Sequence, residues 1–204
     1  MPESAAEIHA RIASVAGEGG RLPTPPLAGW DIFPWEVVDG ALVPKVLPPP
    51  GAEAARAGEV AESDCPTCTR DRGADIWEND RWVVTRPAAP SGLPVVLFLQ
   101  TKEHLDFTDL DDEMAAEYGR LSIWLTRIIA HLPEIGRVHV SRWGDGSAHL
   151  HVWFMARTRG LSGVLGSFAA EWKDILPPVP EDVWRADLAT IAQKLANHDG
   201  KAMV

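Results

Sequence analysis

A ten-residue run near the C-terminal half constrains the fold more than any other feature: Ala148, His149, Leu150, His151, Val152, Trp153, Phe154, Met155, Ala156 and Arg157. Side chains along a strand point alternately to opposite faces. His149, His151 and Trp153 therefore share one face, and Leu150, Val152 and Phe154 share the other. A wholly apolar face must be covered by a second layer, and the stretch 108–132 supplies it. There Met114, Tyr118, Leu121, Leu125 and Ile128 recur at three- and four-residue spacing, one side of a helix. Thr108 is its expected N-cap, Asp109, Asp111, Asp112 and Glu113 crowd the positive end of the dipole, and Pro133 stops it.

Further strands follow from turn residues flanking β-rich runs. They are 76–78 and 81–85 around Asn79 and Asp80, then 93–101, then 138–143, joined to 148–156 by Gly144, Asp145 and Gly146. Short helices are expected near 162–174 and from 180 to about 197. The fold class is α+β: an antiparallel sheet with a long packed helix, an N-terminal proline-rich arm and C-terminal helices. The expected division is an arm over 1–60, a domain over 61–158 and a helical extension over 159–204.

The arm opens with a short helix within 3–15, ended by Gly17, Gly19 and Gly20. Prolines 23, 25, 26, 34, 44 and 48–50 then exclude helices and central strands. Trp30, Ile32, Phe33, Trp35, Val37 and Val38 are too apolar for a plain linker, and are expected to pack on the main domain or a partner chain. The Ala- and Glu-rich segment 52–63 marks the boundary.

With 46% hydrophobic and 24% charged residues the chain is not a disordered one. A net charge of −10 argues against a non-specific nucleic-acid binder, which needs a basic face. Two cysteines cannot build a disulfide framework. The acidic start lacks a signal peptide's basic segment and apolar run, and the strongly apolar run 95–99 is too short to span a bilayer. The expected setting is cytoplasmic, with no membrane partner and with reduced thiols.

Two constellations carry chemistry. Two histidines side by side next to a flexible 144–147 turn can serve as ligand, nucleophile or acid–base, or simply as hydrogen-bonded sheet residues. Cys65 and Cys68, two residues apart, can take adjacent corners of a zinc tetrahedron, or form a redox pair, or be inert. A metal would need two further ligands; His104, just past a strand, and His149 are the candidates. A Cys₂His₂ site is closed, hence structural, and formally neutral.

Taken in order, these residues resemble the histidine-triad superfamily in its zinc-containing branch, related to the hexose-phosphate uridylyltransferases. The order is Cys65 and Cys68, a strand pair, a strand running into Lys102 and His104, a long helix, and two strands of which the second carries His149 and His151 and closes with Arg157. The resemblance covers about half the chain, 61–158. It implies a structural zinc on Cys65, Cys68, His104 and His149. It also implies a nucleophilic His151 that forms a covalent phospho-histidine, in a phosphoryl or nucleotidyl hydrolase or transferase. A homodimer is expected, as is a small phosphorylated ligand, with a nucleotide as one candidate. Gly146 and Ser147 are expected at the phosphate, with Arg142 or Lys102 supplying charge. The alternative is a non-catalytic binding or regulatory protein that keeps the zinc site.

Three positions depart from that family. Trp153 stands in place of the third histidine, and indole can only donate a hydrogen bond. Arg86 ends the second strand, where an acidic residue usually binds ribose; guanidinium favours an anion. Gly146 replaces the usual polar residue before the first histidine, with Ser147 shifted by one. Among nine tryptophans, Trp143 and Trp153 are placed to flank the pocket and stack a flat ligand.

Overall fold

Ser4 opens the first helix. Its hydroxyl accepts from the Glu7 N–H, and the Glu7 carboxylate accepts from the Ser4 N–H at 2.7 Å, a reciprocal cap for α1 (Ala5–Val15). The helix stops at Ala16, in extended conformation, just before Gly17. The computed structural model describes residues 3–24 and 33–204; Trp30 and Ile32 lie outside the described residues.

β1 (Trp35–Val38) and β2 (Ala41–Pro44) form an antiparallel hairpin turned by Asp39 and Gly40, both at positive φ. Trp35, Val37 and Leu42 remain 41%, 70% and 65% exposed. Among the described residues of this stretch, Trp35, Val37 and Val38 are thus left exposed by the main domain, while Phe33 is half-buried. The tight turn closes the hairpin on itself, and the prolines that follow keep the connecting chain extended.

Cys65 caps α2 (Pro66–Thr69), with Pro66 at the first helical position, where its missing N–H costs nothing. β3 (Asp75–Glu78) and β4 (Trp82–Thr85) pair around Asn79, whose side-chain oxygen accepts from the N–H groups of Arg81 and Trp82. β5 (Val95–Thr101) follows. α3 (Asp112–Ala130) starts at Asp111, whose carboxylate accepts from the Met114 N–H at 2.8 Å, and not at Thr108. Thr108 instead sits inside a separate helical turn, Phe107–Asp109, capped by Asp106. β6 (Ile135–Ser141) and β7 (His151–Thr158) complete the expected strands. After them come α4 (Ala169–Ile175), α5 (Glu181–Ala196) and the short β8 (Lys201–Ala202).

The six-stranded sheet runs β6-β7-β5-β4-β3-β8, with every neighbouring pair antiparallel. Val152, Phe154 and Ala156 of β7 face a core that also holds Leu97 and Leu99 of β5 and Met114, Leu121, Leu125 and Ile128 of α3. The alternation of the histidine-bearing run thus places its apolar side as expected. Burying each of these side chains other than Ala156 contributes roughly 1.5–3 kcal/mol. α5 enters the same core through Trp184, Leu188, Ile191 and Leu195, and β8 extends the sheet beside β3. The opposite face of β5 and β7 carries Gln100, Phe98, His151 and Trp153. Val96 and Met155 of the same face join Leu93, Val164 and Leu176 in a second cluster, to which α1 adds Ile12. No helix among the described residues is long and apolar enough to cross a membrane.

Candidate metal centre and active site

The two cysteines reach the site because α2 is a single turn: Cys65 is its cap and Cys68 lies within it, three positions on. β5 ends at Thr101, leaving His104 in the turn that follows. His149 does not belong to β7; it sits in the bend just before the strand, which begins at His151. The bend arises because the 144–147 turn is held by a neighbour. Ala57 bridges Ser147, its N–H donating to the Gly146 carbonyl at 3.1 Å and its carbonyl accepting from Ala148 at 3.0 Å.

One donor atom from each of Cys65, Cys68, His104 and His149 lies within 4.8 Å of all the others. Cys68 Sγ is 3.3 Å from His104 Nδ1 and 3.4 Å from His149 Nδ1, and Cys65 Sγ is 3.6 Å from His149 Nδ1. A zinc tetrahedron with Zn–S near 2.3 Å and Zn–N near 2.0 Å has S···N edges of about 3.6 Å. The donor set and its spacing therefore fit zinc. His149 is buried, and its Nε2 lies 2.9 Å from the Thr101 carbonyl. A carbonyl only accepts, so Nε2 carries the proton and the Nδ1 lone pair faces the sulfurs. Burial pushes His149 below the ordinary histidine range, which keeps it neutral as a ligand must be. Desolvation and the adjacent Cys65 thiol push Cys68 up to about 12 without a metal; a cation is what would ionise it.

Segment 56–59 was not legible as part of the site. Gly58, at φ +82°, passes so close that a Cβ there would lie 2.8 Å from Cys65 Cβ and 2.9 Å from His104 Cε1. Arg56 donates to Asp106 at 2.7 Å, and Asp106 also accepts from Arg142 at 2.8 Å. Against desolvation, which pushes it up, these hydrogen bonds and one from the Phe107 N–H hold the Asp106 carboxyl below its ordinary range. Arg142, expected at the phosphate, is thus committed to Asp106 and lies over the Phe107 ring at 5.0 Å. Lys102 pairs with Glu78 at 2.9 Å.

His151 lies across from Gln100, which accepts from Thr85 and donates to Thr67 between the two cysteines. Its Nδ1 is 2.8 Å from the His149 carbonyl. Ser147 Oγ accepts from the His149 N–H at 3.3 Å, while Gly146 is open, nothing lying within 4 Å of a Cβ placed there. Trp153 meets Phe98 edge-on at 4.4 Å and Trp143 at 5.7 Å. Arg86 is not free for an anion. Its guanidinium lies 5.1 Å over the Trp184 ring and donates to the Pro87 and Gly73 carbonyls.

No protein-family model matches the chain, and no curated protein matches it significantly. Among solved structures it is similar to a histidine triad protein from Marinobacter aquaeolei VT8, at 17% identity over 60% of this chain and 88% of that one, with a TM-score of 0.48. A histidine triad protein from Bradyrhizobium japonicum matches at 17% identity over 59% and 89%, with a TM-score of 0.47. A zinc-bound histidine triad family protein from Mycobacterium smegmatis matches at 18% identity over 62% and 88%, with a TM-score of 0.41. Each is a partial likeness at low identity.

Proposed function

We propose that the chain is an enzyme of the histidine-triad type that acts at a phosphorus centre through His151, with a structural zinc on Cys65, Cys68, His104 and His149. The observation that carries this reading is the contact between His151 Nδ1 and the His149 carbonyl. It fixes the proton on Nδ1 and leaves the Nε2 lone pair as the nucleophile. Nε2 attacks phosphorus; a P–N bond forms as the bond to the leaving group breaks, and the leaving group departs with that electron pair and gains a proton. Water, or an acceptor alcohol or amine, then attacks the same phosphorus, and the P–N electrons return to Nε2. The N–H groups of Asp145, Gly146 and Ser147 have no protein acceptor among the described residues, so they are available to the phosphoryl oxygens. Zinc, with all four positions filled by protein, would serve structure by tying α2, the end of β5 and His149 together.

A homodimer belongs to the same reading. β6 is an edge strand, and Val140 on it and Ile123 on α3 are 41% and 51% exposed. The test is turnover of nucleoside phosphoramidates, dinucleotides and sugar-nucleotides by zinc-loaded protein. His151→Ala is expected to lose at least about 10³-fold in kcat; equal rates overturn the assignment. The second reading, a binding protein without turnover, draws on Trp153, which packs between Phe98 and Trp143 at the last triad position.

A further inference from the structure

A polar cavity of about 50 Å³ lies on the β4 side of Gln100, away from His151. Gln100 pairs across the sheet with His151 on β7 and with Val83 on β4, and Val83 lines the cavity. Thr67, whose hydroxyl accepts from the Gln100 amide at 3.1 Å, lines it from α2. The other walls come from the ends of elements. Arg70 closes α2, Arg72 begins the helical turn Arg72–Ala74, Thr101 ends β5 and Lys102 follows it. Cys68 and His149 border the cavity on the side of the candidate metal centre. At about 30 Å³ per water, the space takes one small tetrahedral ion in place of one or two waters.

Apart from Cys68 and His149, the polar side chains of this lining are donors. Three are cations, and no carboxylate is among them. The Thr67 hydroxyl already accepts from Gln100, which leaves its own proton free. Thr101 is placed likewise: its Oγ1 lies 3.2 Å from the protonated Nε2 of His149, so the hydroxyl accepts there and keeps its proton. Arg70 Nε is buried and has no hydrogen-bond partner among the described residues, a cost that an acceptor in the cavity would remove. Two carboxylates stand behind the lining and do not balance it. Asp75 pairs with Arg70, while Glu78 alone faces Lys102 at 2.9 Å, Lys201 at 2.9 Å and Arg72 at 3.6 Å. Four cations thus share two carboxylates, in a chain whose net charge is −10. Guanidinium groups match the several oxygens of an oxyanion better than a spherical halide. The Arg72 side chain, 68% exposed, can turn onto an occupant without disturbing the core.

We propose that this cavity binds a free tetrahedral oxyanion of the size of phosphate, held by Arg70, Arg72, Lys102 and the hydroxyls of Thr67 and Thr101. The site is separate from the phosphorus position at His151 and stands whether or not His151 is catalytic. The test is calorimetric titration of the protein with inorganic phosphate at constant ionic strength, which is expected to show saturable binding. Arg72→Gln and Lys102→Gln should each weaken that binding at least about tenfold. Both should leave the circular dichroism spectrum unchanged, because Glu78 keeps Lys201 as a partner in either variant. His151→Ala, on the far side of Gln100, should leave the affinity within about twofold. Absence of saturable binding in the wild type overturns the proposal, as does equal affinity in Arg72→Gln, Lys102→Gln and the wild type. Binding that disappears in His151→Ala and survives in the other two variants would belong to the His151 site, and overturns it as well.

Discussion

His149 and His151 are linked through the backbone: the carbonyl oxygen of the buried His149 lies 2.8 Å from Nδ1 of the histidine two positions on. The ring of His149 is meanwhile fixed by the Thr101 carbonyl, and its Nδ1 faces both cysteines. Any shift of His149 within the metal cluster would move the acceptor that orients His151. The candidate metal ligand His149 and the proposed nucleophile His151 are thus linked by geometry.

Removing a ligand should separate the zinc reading from the alternatives. Cys68→Ser and His104→Ala are expected to lower bound zinc from about one equivalent to near zero by elemental analysis, with a lower Tm. Unchanged metal content in His104→Ala would leave the cysteines as a redox or inert pair.

Gly58→Ala tests the same centre from outside the ligand set. The new Cβ would press on Cys65 and His104 and force a non-glycine residue to φ +82°. Zinc affinity is expected to fall about tenfold or more, measured by competition with a chelator.

Arg56→Ala frees the 56–59 segment from Asp106 and from the Gly144 carbonyl. Zinc content should stay constant while kcat/KM falls, on the order of tenfold, because the 144–147 turn loses its brace. Loss of zinc together with activity would assign Arg56 to folding alone.

Two buried carboxylates give opposite pH signatures. Burial pushes Asp187, which has one unpartnered oxygen, from an ordinary 3.8 up to about 6. Its contribution to stability is fully present below about pH 4 and lost as pH rises through 6. Asp187→Asn should therefore stabilise the protein at pH 8 by on the order of 2 kcal/mol and have little effect at pH 4. Glu78, held by Lys201 and Lys102, falls from 4.5 to about 2. Its contribution is present above 4.5 and lost as pH falls through 2. Glu78→Gln should cost about 1–2 kcal/mol at pH 7, a gap that closes toward pH 2. Urea unfolding across pH reads both.

What was legible in the sequence was what depends on local periodicity. The two faces of β7, the apolar stripe of α3 and the Asn79 turn are each written within a few neighbouring residues. The start of α3 was displaced by one turn because Asp106 captures the first helical turn for itself, leaving Asp111 as the cap. His149 fell outside the strand because Ala57, 90 residues before Ser147, reshapes the turn leading into it. The 56–59 segment reads as an Ala- and Glu-rich linker, and nothing local marks Gly58 as the residue against which Cys65 and His104 pack. The docking of α5 and β8 was hidden for the same reason, since their partners lie on β3 and α3, far away in sequence.

The most direct test of the account is intact-mass spectrometry of zinc-loaded protein during turnover of a nucleoside phosphoramidate. The account predicts a transient phosphorus-bearing adduct on the wild type, mapping to His151 and absent from His151→Ala. Turnover without an adduct, or an adduct that persists in His151→Ala, would contradict it.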